Sequence, residues 1–237
     1  MLFRSRGRSI RVHNVITHGI KGIPEDGEIA FYGVDEKTLP IWNMVKQRGQ
    51  DFFYVDNSYF NSKWKGGDYY RITKNAMQHM GDGASDGRRW GALHLGVRNV
   101  IERGDTVLLA LQSDFWYSRF NMTKADFVAA VKHDLKPYLG RRRLLVRDKS
   151  EHTKPIHWDD ICCVVAHSSN VAVDGLLEGV PCFVTYPCAA ATMAGQYPRV
   201  DEPRRVRLNE LLPWCWSLAD NQFTISEIKQ GLPFEVL

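Results

Sequence analysis

Strand and helix signals alternate along the second half of the chain, and that alternation limits the fold more than any other feature. Thr106-Val-Leu-Leu-Ala-Leu-Gln112 is a continuous apolar run that ends in a polar residue. A strand buried on both faces of a parallel sheet has this pattern. Thr123 with Asp126 behind it marks a helix start. Phe127, Val128, Val131 and Leu135 then recur at helical spacing until Pro137 and Gly140. Arg143-Leu-Leu-Val-Arg147, Ile161-Cys-Cys-Val-Val-Ala166 and Pro181-Cys-Phe-Val-Thr185 read as three more short strands. A helix over 170–177, closed by Gly179, joins the last two. Such alternation builds βαβ units around a parallel sheet, so this half predicts a Rossmann-like layer.

The stretch before about residue 104 is less regular. Strands are predicted at 29–32 and 51–55, with a helix over 39–48 that Gly49 stops, which makes one βαβ unit. Further helices are predicted at 74–80 and 90–102, and a loop at 57–67. Gly81-Asp-Gly-Ala-Ser-Asp-Gly87 reads as a flexible crossover. The expected organisation is a reduced N-terminal lobe at 1–104 and a Rossmann-like lobe at 105–237, each with a parallel sheet. A chain of 237 residues has room for one sizeable core or two small ones.

Composition narrows the function classes. Lys and Arg number 31 against 27 Asp and Glu, a net charge of +4, which permits an anionic partner without demanding one. No apolar run reaches the roughly 18–20 residues that span a bilayer. The basic N-terminus lacks the apolar stretch of a secretory signal. The five cysteines are odd in number, two are adjacent, and none forms a C-x-x-C pair. That argues against a disulfide framework and a structural zinc site, and points to a reducing cytoplasmic compartment. No D-x-D pair or P-loop motif is present, so neither a metal-held diphosphate nor a P-loop kinase is indicated.

Three groups of residues could carry chemistry. Ala166-His-Ser-Ser-Asn170 follows a buried strand and precedes a helix. Backbone N–H groups at a helix start favour phosphate. Ser168 and Ser169 add hydroxyls where open α/β sheets bind ligands. The other reading makes Ser169 a simple helix cap. Tyr54-Val-Asp-Asn-Ser-Tyr-Phe60 places the carboxylate of Asp56 at a strand end, either as a candidate for chemistry or as the opening of an Asx-turn. Arg147 and Lys149 close another strand and could neutralise phosphate charge. Aromatic and basic residues interleave in the first half, among them Tyr59, Trp64 and Arg71. They read either as surfaces on which a sugar or a nucleic-acid base stacks or as core.

The run from His167 to Val184 resembles the nucleotide-sugar-binding lobe of GT-B glycosyltransferases, in particular the capsule polysaccharide transferases of the Kdo-transferase type. The shared pattern is a Ser-Ser loop, a helix with an acidic residue, a G-x-P step and an apolar strand. Residues 218–231 resemble that family's closing helix, and the likeness covers about 106–231. It implies an α/β protein of two Rossmann-like lobes. It implies donor phosphates on Ser168 and Ser169, with His167 and Gln112 beside them. Asp174 would meet the ribose hydroxyls, where the family has Glu. Arg147 or Lys149 would meet the leaving phosphate, and Asp56 would act as base, although Asn57-Ser58 replaces the usual glycine step. Where relatives carry His-Pro, this chain has His152-Thr-Lys-Pro155. The implied donor is a nucleotide sugar, first of all a UDP-sugar, with no metal required. The compact size resembles phage enzymes that glycosylate hydroxymethylated pyrimidines, so the expected acceptor is double-stranded DNA with such bases, in the host cytoplasm. The alternatives are a capsule-type glycan acceptor and a non-catalytic nucleotide-sugar-binding protein.

Overall fold

The computed structural model describes residues 2–5, 8–11, 27–60, 67–99, 104–151 and 154–237. The chain forms two compact units, Met1–His79 with Leu218–Leu237, and Met80–Ser217.

The first unit opens with an antiparallel pair, β1 (Leu2–Ser5) and β2 (Arg8–Arg11). The predicted βαβ unit follows as β3 (Ile29–Tyr32), α1 (Leu39–Arg48) and β4 (Phe52–Asn57), with the two strands parallel. Gly49 ends α1 in a left-handed conformation (φ 61°), and its N–H bonds back to the last turn. Ile41 and Val45, four residues apart, bury one stripe of α1 against Phe31, Phe52 and Tyr54. Next comes β5 (Tyr69–Lys74), antiparallel to β4. The sequence predicts a helix at 74–80; the chain makes this strand and then turns.

The second unit holds the expected parallel layer. Its elements are α2 (Arg88–Ala92), β6 (Thr106–Ala110), α3 (Asp114–Ser118), α4 (Lys124–Leu135), β7 (Arg143–Arg147), β8 (Ile161–Ala166), α5 (Val171–Leu177), β9 (Cys182–Val184) and α6 (Leu208–Asp220). The strands lie in the order β7-β6-β8-β9, all parallel. Thr123 and Asp126 close a reciprocal capping box on α4. Val107, Leu109, Val165 and Phe183 point one face of the sheet at Phe127, Val131 and Leu135 of α4. On the other face, a Cβ on Gly175 would lie 2.9 Å from a Val164 methyl, so the glycine lets α5 approach β8 closely. The segment 81–87 is packed and not a free crossover. Gly81 and Gly87 lie against the rings of Trp214 and Trp216, and the Gly83 N–H donates to Ser217 Oγ.

From α6 the chain returns to the first unit. There β10 (Gln222–Thr224) pairs antiparallel with β5 and completes a mixed sheet, β10-β5-β4-β3. Then α7 (Ile225–Gln230) and α8 (Pro233–Val236) follow, and Ile228 and Phe234 cover Phe53, Ile72 and Phe223. Strand pairing thus joins residues 218–237 to the first sheet, whereas the sequence expectation grouped them with 105–237. The first sheet also differs from the expected parallel one, because β5 and β10 enter it antiparallel. The whole is an α/β protein with a Rossmann-like parallel layer. Among the described residues, no helix is long and apolar enough to cross a membrane.

Candidate functional site

Each unit holds one polar constellation at the carboxyl ends of its parallel strands. In the second unit the chain leaves β6 for β7 on one side and comes back to β8 on the other. The strand order therefore reverses between β6 and β8, which is where open α/β sheets bind ligands. Gln112 follows β6, and His167, Ser168 and Ser169 follow β8. The structure brings these together: Gln112 Nε2 donates to Ser168 Oγ at 3.4 Å, across the reversal. The Gln112 N–H donates to the Tyr117 hydroxyl at 3.2 Å.

His167 is 4% exposed and packed among rings. Tyr186 stacks on it (4.9 Å, 17°), and Phe120 lies 5.0 Å from both. Trp116 presents its edge, and its Nε1–H donates to His167 Nδ1 at 3.1 Å. The Arg119 guanidinium covers the Trp116 ring at 4.8 Å. Burial pushes the imidazole pKa down to about 4, so His167 is neutral near pH 7.

The remaining predicted donor residues are spread around this edge. Ser168 is buried and Ser169 half-buried, and Ser169 Oγ accepts the Val171 N–H at 3.3 Å. Asn170, in helical conformation, occupies the cap position of α5, so Ser169 is not the cap. Asp174 sits half-buried within α5. Arg147 spends its guanidinium on the carbonyls of Glu151 and Lys154, which closes the loop after β7. Lys149 in that loop is exposed. Beside it, Asp148 pairs with Lys124 at 2.6 Å, and that bond holds its carboxyl down to about 2. Lys124 also reaches Asp114 at 3.2 Å.

The first unit gathers its polar groups where β4 meets β5. Asp56 lies directly opposite Arg71. Arg71 Nη2 and the Tyr54 hydroxyl both donate to Asp56 Oδ2, at 2.6 and 2.9 Å. Oδ1 accepts the Asn57 N–H at 2.7 Å. The Arg71 side chain is 7% exposed and that of Asp56 24%. Burial opposes the charge on Arg71, but Asp56 and the flanking tyrosines raise its pKa above the ordinary value. Burial, then the Asp56 charge, pushes the Tyr54 phenol up. Tyr59 is buried. Its hydroxyl accepts the His79 N–H at 2.8 Å, and its ring underlies Arg71. Neither Tyr59 nor Arg71 is therefore an exposed contact for an acceptor. Trp64 lies outside the described residues. Tyr32, at the end of β3 and 53% exposed, meets the edge of Tyr70.

The chain shares its fold with a solved Kdo transferase. KpsC of Thermosulfurimonas dismutans, described as a β-Kdo 2,4 transferase, aligns with a TM-score of 0.52 at 10% identity, covering 86% of each chain. A β-Kdo 2,7 transferase structure of KpsC from the same organism aligns at 0.42 and 9% identity, over 89% of this chain and 99% of that one. No family model and no curated protein matches.

Sequence reasoning missed Trp116, Phe120, Tyr186 and the Asp148–Lys124 pair. A signal for the first two was present: an aromatic-rich run, Phe115 to Phe120, follows a strand end and the helix-capping Ser113. It also passed over a G-x-S-x-G spacing at Gly83-Ala-Ser-Asp-Gly87. That spacing makes no nucleophile elbow, because turns and not a strand lead into it. Ser85 Oγ instead accepts the Gly87 N–H at 3.1 Å. Among the described residues no group of three or more His, Cys, Asp or Glu could hold a metal ion.

Proposed function

We propose that this chain is a glycosyltransferase that uses a nucleotide sugar. The observation that carries the reading is the Gln112–Ser168 hydrogen bond across the strand reversal, which sets polar side chains where such sheets take ligands. The fold likeness to a Kdo transferase supports it. In this reading Gln112, His167, Ser168 and Ser169 face the donor phosphates, Asp174 takes the ribose hydroxyls, and Lys149 meets the leaving phosphate. Arg147 holds the loop that carries Lys149. Asp56 is the base. Its Oδ1, which carries only bonds from Asn57, accepts the proton as the acceptor oxygen bonds to the anomeric carbon and the sugar–phosphate bond breaks.

Two acceptors each have support. The net charge of +4 permits a hydroxymethylated pyrimidine in DNA, and Tyr32, exposed near Asp56, offers a ring for such a base to stack on. The Kdo-transferase fold favours a glycan. The test incubates the full chain with a panel of nucleotide sugars, UDP-sugars first, and with either hydroxymethylated duplex DNA or an anionic oligosaccharide. Products are digested and weighed. Added sugar mass on the nucleoside supports DNA, and on the oligosaccharide supports glycan. No transfer from any donor to either acceptor would sink the reading.

A further inference from the structure

An indole nitrogen can only donate a hydrogen bond. Trp116 Nε1 lies 3.1 Å from His167 Nδ1, so that nitrogen must offer its lone pair. Ser168 Oγ approaches the same Nδ1 at 3.4 Å and itself receives the Gln112 amide hydrogen. The hydroxyl can donate or accept and adapts to either tautomer, so the indole, which only donates, decides it. The imidazole is neutral at physiological pH, so its single proton resides on Nε2. No described residue partners Nε2, and the atom is not among the buried polar atoms left unbonded, so it reaches solvent. Stacking on Tyr186 and contact with Phe120 and Tyr117 hold the ring plane. The ionisable neighbours are Tyr117, Tyr186 and, across the indole, Arg119.

We propose that Trp116 is a positioning residue that fixes His167 as the Nε2–H tautomer, so that the ring presents a permanent N–H donor to a phosphate at the strand reversal. The phosphate half rests on the nucleotide-sugar reading. The tautomer half stands on the hydrogen bonds alone. His167 is then neither a general acid nor a general base, because it keeps one proton through the neutral range. Its advantage over a solvent-exposed histidine is a donor that does not come and go with pH.

The experiment records long-range 1H–15N correlations of the histidine rings in the full-length 15N-labelled protein. His167 is identified by the signal that vanishes in His167→Gln. The expected spectrum shows a protonated Nε2 and a bare Nδ1, unchanged between about pH 6 and pH 8. In Trp116→Phe both nitrogens should move toward tautomer-averaged positions, and the Kd for UDP should rise about five- to tenfold, the loss of one ordered hydrogen bond. A wild-type spectrum with the proton on Nδ1, or a titration near the ordinary histidine value, overturns the proposal even if the variant fails to fold. So does a Trp116→Phe protein that keeps a pure Nε2–H tautomer. If UDP shifts other resonances of the second unit but leaves His167 Nε2 unmoved, the phosphate role falls while the nucleotide-sugar reading stands. If neither UDP nor any other nucleotide of the donor panel shifts anything, that reading falls and the phosphate role with it, while the tautomer stands or falls on the spectra.

Discussion

Replacing Asp56 by asparagine removes the counter-charge of an almost fully buried guanidinium. Arg71 is 7% exposed, and Asp56 Oδ2 is its partner at 2.6 Å. The same oxygen takes the Tyr54 hydroxyl. In the asparagine variant the amide either turns its NH2 toward two donors or turns its oxygen to them and loses the negative charge. Breaking a buried ion pair by removing one partner costs about 3–5 kcal/mol. Asp56 keeps 24% exposure, which places the expected loss near the lower end, about 3 kcal/mol. For a chain of this size each kcal/mol moves the melting temperature by about 2–4 °C, so the transition should fall by roughly 6–12 °C. The assay is a thermal melt followed by circular dichroism. A second variant, Asp56→Asn with Arg71→Met, removes both charges and should recover most of the loss. An Asp56→Asn protein that melts with the wild type would refute the claim that this pair is a structural element of the first sheet.

Three further outcomes follow from the geometry. Burial holds His167 near 4 in the folded protein, against 6.5 in the unfolded chain. Below 6.5 the unfolded chain takes up a proton that the native state refuses, so stability falls as pH drops from about 6.5 to about 4, by up to about 3 kcal/mol. Urea midpoints at pH 7 and pH 4.5 should differ less in His167→Gln. Gly81→Ala forces a side chain onto a φ of +74°, with its Cβ 2.0 Å from the Trp214 ring, and that ring is pinned by its bond to the Ala189 carbonyl. A loss of about 2–4 kcal/mol is expected, read from denaturant midpoints. Lys124→Met should return Asp148 toward the ordinary carboxyl range in an NMR titration and cost less than about 1 kcal/mol, because the pair is partly exposed.

Most of the parallel layer was legible because its signals are local. The strands β7 and β8 and the helix α1 have the bounds their apolar runs and glycine stop imply. What the sequence hid depends on distant partners. Tyr69-Tyr-Arg-Ile-Thr-Lys74 looks too polar for an inner strand, yet Arg71 is buried because Asp56 sits opposite it. The three residues of β10 become a strand only by pairing with β5, about 150 positions earlier in the chain. The helix expected over 90–102 ends at Ala92. Two glycines, Gly91 and Gly96, flank His94, which adopts a left-handed φ of 52°. In the candidate site the serine loop and Gln112 were readable from their place at strand ends. Tyr186 was not, since an aromatic residue near a sheet ordinarily reads as core, and the aromatic run that carries Trp116 was passed over for the same reason. Tyr59 shows that the core reading is sometimes right.

The central claim is that Asp56 is the base in a glycosyl transfer. It is tested most directly by the rate of nucleotide release from the nucleotide sugar that the donor panel identifies, in wild type and Asp56→Asn, at a temperature where both are folded. The expected result is a fall in kcat of at least about 100-fold with donor Kd unchanged. A folded Asp56→Asn protein that turns over at the wild-type rate would contradict it.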